Sequence, residues 1–386
     1  MTDPFLETRT PPPAEIDSDQ FRFGPQQGKV IRQVEDWLAR VRTDSSAPQI
    51  FRLFGVAGTG KTTLARHLAA SLDGPARFCA FTGKAALMMQ RAGCPDATTI
   101  HGLIYTAHTT PSGGVEFRIN PQSPARGAAL IVVDECSMVD ETIGRHLMSF
   151  GAPILVLGDP AQLPPIKGKG FFTEAQPDAM LTEIHRQARG NPIIRIATAA
   201  RKGEPIPYGE HGTVTVDKRG RRSPEDALKA DQIIVGRNTT RTAYNAALRR
   251  HLGRTSPLPV ADDRLVCLRN DTQTGLLNGT LFTVLDCAPS AHGMVRLRLR
   301  SEDGMPDVET DVHRAFFEGG TEKLSPRQLA RSGHFDYGFA LTGHKSQGSQ
   351  WADVLAYDES GVFGRHAKRW LYTVITRAQE RLTLIR

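Results

Sequence analysis

Residues 51–63 read Phe-Arg-Leu-Phe-Gly-Val-Ala-Gly-Thr-Gly-Lys-Thr-Thr, an apolar strand running into G-x-x-x-x-G-K-T and then a helix. Glycines at 55, 58 and 60 allow a tight backbone turn, so that successive N–H groups can surround one phosphate at a helix N-terminus. Gly55, Ala57, Gly58, Thr59, Gly60, Lys61, Thr62 and Thr63 are the expected nucleotide contacts. Lys61 brings a point charge to the β- and γ-phosphates, and Thr62 a hydroxyl to Mg²⁺. The flanks agree with this: Ile50, Phe51, Leu53 and Phe54 form the strand. Leu64, Leu68 and Leu72 then recur at helical spacing until Asp73-Gly74-Pro75. The chain is expected to bind ATP with Mg²⁺.

Carboxylates of the matching kind follow a second apolar run. Leu130-Ile131-Val132-Val133 ends in Asp134-Glu135. Asp134 is placed to hold the Mg²⁺ that Thr62 also meets, and Glu135 to act as base toward an attacking water. A third run, Ile154-Leu155-Val156-Leu157, leads to Gly158-Asp159 and then Gln162, a candidate for the γ-phosphate or its water. Hydrolysis gains from cations that meet the transferring group, often from another domain. Arg186, in Ile184-His185-Arg186-Gln187, and Arg377, after Tyr372-Thr373-Val374-Ile375-Thr376, are the two candidates.

The elements that must position these groups alternate along the chain. From 21 to 172 short apolar strands alternate with helical stretches, the pattern of a parallel α/β sheet whose ligands lie at the carboxyl ends of its strands. Residues 103–120 break the alternation with two segments around Pro111-Ser112-Gly113-Gly114, an expected β-hairpin insert. A second α/β pattern occupies 173–257 and 333–386. Between its parts, 258–332 reads as short strands and turns; Val295, Leu297 and Leu299 alternate with Arg296, Arg298 and Arg300 in an expected small β-barrel. Residues 1–20 are rich in proline, threonine and acids and read as a disordered tail.

Composition narrows the class without choosing the partner. The 386 residues carry a formal charge of +7 and 39% hydrophobic residues, enough for more than one core. A basic balance fits a polyanionic partner, and many proteins without one share it. Five cysteines with no C-x-x-C pair point to reduced thiols in a cytoplasmic protein. There is no H-E-x-x-H spacing, and no apolar run of about eighteen residues.

Gly55–Thr62, Thr82–Ala85, Thr98–His101, Asp134–Ser137, Gly158–Pro165, Ile184–Gln187, Ala340–Gly348 and Tyr372–Ala378 occur in that order. The series resembles the superfamily 1 helicases, in particular the 1B branch of RecD and the phage Dda helicase, over nearly the whole of 21–386. The resemblance implies two tandem RecA-like P-loop domains with ATP between them, a hairpin that splits the duplex, and an SH3-like barrel in the second domain. It implies that Arg186 and Arg377 are arginine fingers and that Gln27 reads adenine, with Gln26 the lesser choice. Thr82, Lys84 and His101 in the first domain, and Thr342, His344 and Lys345 in the second, would face single-stranded DNA. Gln350 stands where related helicases often carry a Glu that touches the ribose.

The expected activity is an ATP-dependent 5′-to-3′ DNA helicase or translocase. It would work as a soluble monomer on single strands and single-strand/duplex junctions, beside replication or recombination proteins. Two alternatives are an ATP-driven remodeller that displaces proteins from DNA with little unwinding, and an RNA-directed relative. The hairpin is short; Tyr105 and Phe117 lie near its base, where core packing is expected. The basic faces at Arg296, Arg298 and Arg300 and at Lys218–Arg222 read mainly as solvated surface.

Overall fold

The computed structural model describes residues 23–386 except 95, 110–114, 165–169, 184–189 and 272–273. The tail at 1–20, the hairpin tip and Arg186 lie outside the described residues.

Two six-stranded sheets carry the chain. The first is wholly parallel, in the order Thr98–Thr99, Ala76–Ala80, Leu130–Asp134, Ile154–Gly158, Ile50–Gly55, Ala179–Leu181. Its central strands are apolar on both faces because both are covered. Phe51 and Leu53 join one core with Leu64 and Leu68, while Ile50 and Phe54 point into the other with Ile131 and Val133. The strand Ile50–Gly55 therefore delivers the phosphate-binding loop from a fixed base, and the helix Lys61–Ala70 continues from it with Leu64, Ala65 and Leu68 buried.

The boundary expected at 172 moves. Ala179–Leu181 pairs with Leu53–Gly55, so the first sheet runs to Leu181. Three residues carry no readable period; the strand is fixed from a distance by the Arg52 N–H, which donates to Asp178 Oδ2 at 2.7 Å.

The second sheet has the order Ala340–Thr342, Gln232–Val235, Trp351–Tyr357, Ala378–Ile385, Val214–Asp217, Gly209–His211, parallel except for its last pair. Between Gln232–Val235 and Ala340–Thr342 the chain makes a five-stranded antiparallel sheet. A bridge from Val312 to Gly333 joins its outer segments. In its strand Met294–Ser301, Val295, Leu297 and Leu299 face the core while the three arginines face out. Arg296 pairs with Asp311 at 3.0 Å and Arg298 lies opposite Glu309, so part of the charge on this face is compensated within the sheet.

Tyr105–Thr109 and Val115–Ile119 form a separate two-stranded antiparallel sheet with Tyr105 opposite Ile119. Phe117, expected to pack in a core, is 56% exposed, because among the described residues no second layer covers that face of the hairpin. Its ring sits 5.8 Å from that of His101. No helix among the described residues is long and apolar enough to cross a membrane.

Candidate active site

The loop at 55–62 has the backbone its glycines predict. Gly58 and Gly60 have φ of 78° and 77°, the left-handed region that favours glycine. At Gly55 any Cβ would stand 2.7 Å from Thr59 Oγ1 and 2.9 Å from Leu181 Cβ. Lys61 folds back over this turn and donates from Nζ to the carbonyls of Gly55 at 2.7 Å and Val56 at 3.2 Å. An ammonium that uses two backbone carbonyls as stand-in acceptors is placed for phosphate oxygens.

At the start of the helix that follows the loop, Thr62 Oγ1 donates to Asp134 Oδ2 at 2.9 Å, reaching past the intervening strand Ile154–Gly158. A threonine hydroxyl and a carboxylate in contact are the hard oxygen pair that Mg²⁺ takes, with substrate phosphates and water completing its shell. The donor set fits MgATP. When bound, the ion would supply charge neutralisation at the phosphates, with Thr62 and Asp134 holding it.

Glu135 follows in a left-handed conformation, φ 51° and ψ 42°, rare for a side-chain-bearing residue. The turn ends the extended run of the strand at this residue. Burial raises its pKa; Arg377 and Lys61 oppose the shift, while Asp134 and Asp159 add to it. A carboxylate pushed toward neutrality yet held by a nearby guanidinium is suited to accept a proton from water. Arg377, which opposes the shift, belongs to the second α/β unit. Arg377 is 3% exposed, and it donates to Thr373 O, Ser349 O and Thr376 Oγ1 at 3.0, 3.0 and 3.2 Å. These bonds fix its stem and orientation. Gln162 is buried, and among the described residues its Oε1 has no hydrogen-bond partner.

Between the units lies a cavity of about 210 Å³ lined by Ala57, Gly58, Asn191, Thr198, Arg201, Gln350, Tyr372 and Gln379 among others. Gln379 Nε2 donates to Gln350 Oε1 at 3.1 Å. Gln27 is buried: its Oε1 accepts from Gly24 N and its Nε2 donates to Thr59 O at 3.1 Å, tying the first helix to the loop. Gln26 is spent on the backbone of Met180, Thr182 and Glu183. The N–H of Ala57, expected on phosphate, is taken by the Tyr372 hydroxyl at 2.9 Å. Tyr372 was visible only as part of the segment before Arg377; its partner is 315 residues away.

The expected DNA-facing residues divide. Thr82 caps the helix Gly83–Arg91, accepting from Ala85 N, and the buried Thr342 accepts from Lys345 N at 3.3 Å. His101 and His344 are half-buried, and burial lowers both their pKa values. Lys345 is pushed down to about 8, first by burial and then by Arg241. Lys84 departs from expectation. It is 3% exposed, lies 3.4 Å from Asp303 of the antiparallel insert and 5.0 Å from the Trp351 ring centre, and so does not present its charge to an open surface. One residue of sequence pattern cannot reveal that an insert more than two hundred positions away covers it.

Residues 37–219 match the AAA domain family, and 337–385 match the UvrD-like helicase C-terminal domain. The ATP-dependent RecD2 DNA helicase of Deinococcus radiodurans is 28% identical over 408 residues, covering 96% of this chain and 51% of that protein. The RecBCD enzyme subunit RecD of Mycobacterium tuberculosis is 26% identical over 396 residues, covering 86% and 66%. A structure of Pif1 helicases at forked double-stranded DNA superposes with a TM-score of 0.60 at 17% identity, covering 94% of this chain and 92% of that one. Bacteroides Pif1 with ADP-AlF3 and single-stranded DNA gives 0.56 at 18%, with the same coverage. The chain is related to the RecD-type helicases and shares the Pif1 fold. It spans about half the length of the Deinococcus relative. The Pif1 likeness extends over both α/β units, so the cleft between them is part of a recurrent fold and not a chance apposition.

Proposed function

We propose that this chain is a DNA-dependent ATPase that moves along single-stranded DNA and unwinds it, with ATP hydrolysed between its two α/β units. The observation that carries the reading is the seating of the second unit on the phosphate-binding loop of the first: Tyr372, on the segment that leads to Arg377, accepts the Ala57 N–H and donates to Asp159. An acid that receives a water proton and a cation that stabilises transferring phosphate are complete only when the two units close. Hydrolysis thereby becomes coupled to relative movement of the units, the requirement for a motor.

In this reading the loop at 55–63 holds the phosphates, Thr62 and Asp134 hold Mg²⁺, and Gln162 orients the attacking water. Arg186 serves as a second finger, and Gln27 and Gln350 border the base and sugar. Single-stranded DNA runs past Thr82 and His101 to Thr342, His344 and Lys345, with 5′-to-3′ polarity. The insert is the SH3-like module of the branch, and the hairpin is the wedge at the fork. The exposed Phe117 beside His101 supports unwinding over bare translocation, because a stacking surface next to the strand path can hold a base pulled from the duplex.

The test is ATP turnover with and without single-stranded DNA, followed by unwinding of duplexes with a 5′ or a 3′ tail. Stimulation by DNA and unwinding from the 5′ tail are expected. Turnover indifferent to DNA would overturn the motor, and unwinding from the 3′ tail would overturn the polarity.

A further inference from the structure

Three side chains of the second unit grip one short segment of the first. Tyr372 donates its hydroxyl to Asp159 Oδ2 at 2.6 Å while accepting the Ala57 N–H at 2.9 Å. Thr373 Oγ1 accepts from Leu163 N, and Gln347 Nε2 donates to Leu163 O, both at 3.0 Å. Asp159, Leu163, Tyr372, Thr373 and Gln347 are all buried, so these bonds form in a low-dielectric setting where geometry is exacting. Gln162 lies inside the gripped segment, its N–H on Asp159 O at 3.0 Å and its Oε1 without a hydrogen-bond partner among the described residues. The grip holds the residues at both ends of the gripped segment, and a fourth bond, from the Ala57 N–H to the Tyr372 hydroxyl, reaches the phosphate-binding loop.

We infer that Tyr372, with Thr373 and Gln347, is a positioning residue that sets Gln162 for hydrolysis only when the two units close. The inference rests on the motor reading and adds to it a specific link. Gln347 follows His344 by three residues and Lys345 by two in the same turn, so a strand that shifts this turn shifts the carbonyl of Leu163 and the glutamine before it. Tyr372 precedes Arg377 by five residues on the same helix end, so one movement delivers both. The hydroxyl of Tyr372 crosses to the first unit through hydrogen bonds, and its ring lies in the buried cluster of the second unit, which also takes in Leu163 of the gripped segment. Burial and the neighbouring Asp159 keep that hydroxyl protonated and hence a donor.

The experiment is Tyr372→Phe, alone and in a Gln162→Ala background. Four quantities are measured on each protein: kcat of ATP hydrolysis with and without oligo(dT), the Kd of a fluorescent ADP analogue, and the melting temperature. Loss of one neutral and one charged hydrogen bond predicts a fall in DNA-stimulated kcat of about 10- to 100-fold. Nucleotide affinity and melting temperature should stay near wild type. In the Gln162→Ala background the same substitution should cost no more than about twofold, because a residue that acts through Gln162 has nothing left to position. Full DNA-stimulated turnover by Tyr372→Phe would overturn the inference, and so would an undiminished penalty in that background or a parallel fall in melting temperature and nucleotide affinity. If the wild-type chain itself shows no stimulation by DNA, the motor reading falls; if it does and Tyr372→Phe matches it, this inference alone falls.

Discussion

Lys84 and Asp303 form an ion pair between the first α/β unit and the antiparallel insert, with Nζ 3.4 Å from Oδ1 and side chains only 4% and 10% exposed. Such a pair is weak evidence for net stability, yet removing one partner strands the other in a dry site. Asp303→Ala is expected to cost about 3 kcal/mol, and Lys84→Met with Asp303→Leu to regain most of that loss. Denaturant unfolding of the three proteins checks this. If Lys84 instead meets DNA directly, Lys84→Met would weaken DNA binding with no change in unfolding.

Lys61→Ala and Glu135→Gln should fail in different ways. The first removes a charge from the phosphates and should lower turnover by orders of magnitude with weakened nucleotide affinity. The second keeps the shape of the side chain and leaves the Thr62–Asp134 contact intact, so nucleotide binds and is not cleaved. Equilibrium binding and single-turnover hydrolysis separate them. Normal turnover by Glu135→Gln would place the base elsewhere.

Arg377→Ala should leave nucleotide binding within a few-fold and reduce hydrolysis about 10³-fold, the size expected for a lost arginine finger. Arg377→Lys keeps the charge but not the three-way hydrogen bonding to Thr373, Ser349 and Thr376, and should recover little. A lysine variant as active as wild type would show that charge alone suffices.

Lys345 gives DNA binding a pH dependence. With its pKa depressed to about 8, its charge is present below that value and is lost above it. Affinity for single-stranded DNA should therefore fall between pH 7 and pH 9, and Lys345→Arg should flatten the profile. Stability moves the other way. The folded chain gives up this proton before the unfolded chain does, so this group's contribution rises from about 8 toward the ordinary lysine value of 10.5. Anisotropy titrations at fixed ionic strength test the binding, and equal profiles for the two proteins would remove Lys345 from the strand path.

Replacing residues 106–118 with a short Gly-Ser turn should abolish unwinding and spare DNA-stimulated hydrolysis, since the residues at 55–63, 134–135 and 377 are untouched. Phe117→Ala should reproduce part of the defect, by the loss of one stacking surface worth about 1–3 kcal/mol per base. A joint loss of unwinding, hydrolysis and melting temperature would instead make the hairpin a structural cover.

The nucleotide half of the site was legible because its chemistry is local. Gly58, Gly60, Lys61 and Thr62 sit within five residues, and the positive φ angles there need glycine. Asp134 and Glu135 were legible because an apolar strand must end somewhere, and its carboxyl end is where ligands lie. The alternation of Val295, Leu297 and Leu299 with arginines gave the two faces of one insert strand for the same local reason.

What the sequence by itself determined is the glycine-built turn at 55–60, the carboxylates that end the strand at 134, and the order of the elements that carry them. The tertiary structure decided which groups face each other across long separations. It placed Ala179–Leu181 in the first sheet, enclosed Lys84 with Asp303, left Phe117 in the open, and drew Tyr372 onto Ala57 and Asp159. Local spacing encodes backbone turns and buried faces, because those depend on a few neighbouring dihedrals and on period. A contact between positions 57 and 372 depends on how two separately folded layers close on each other, and no window of sequence contains that closure.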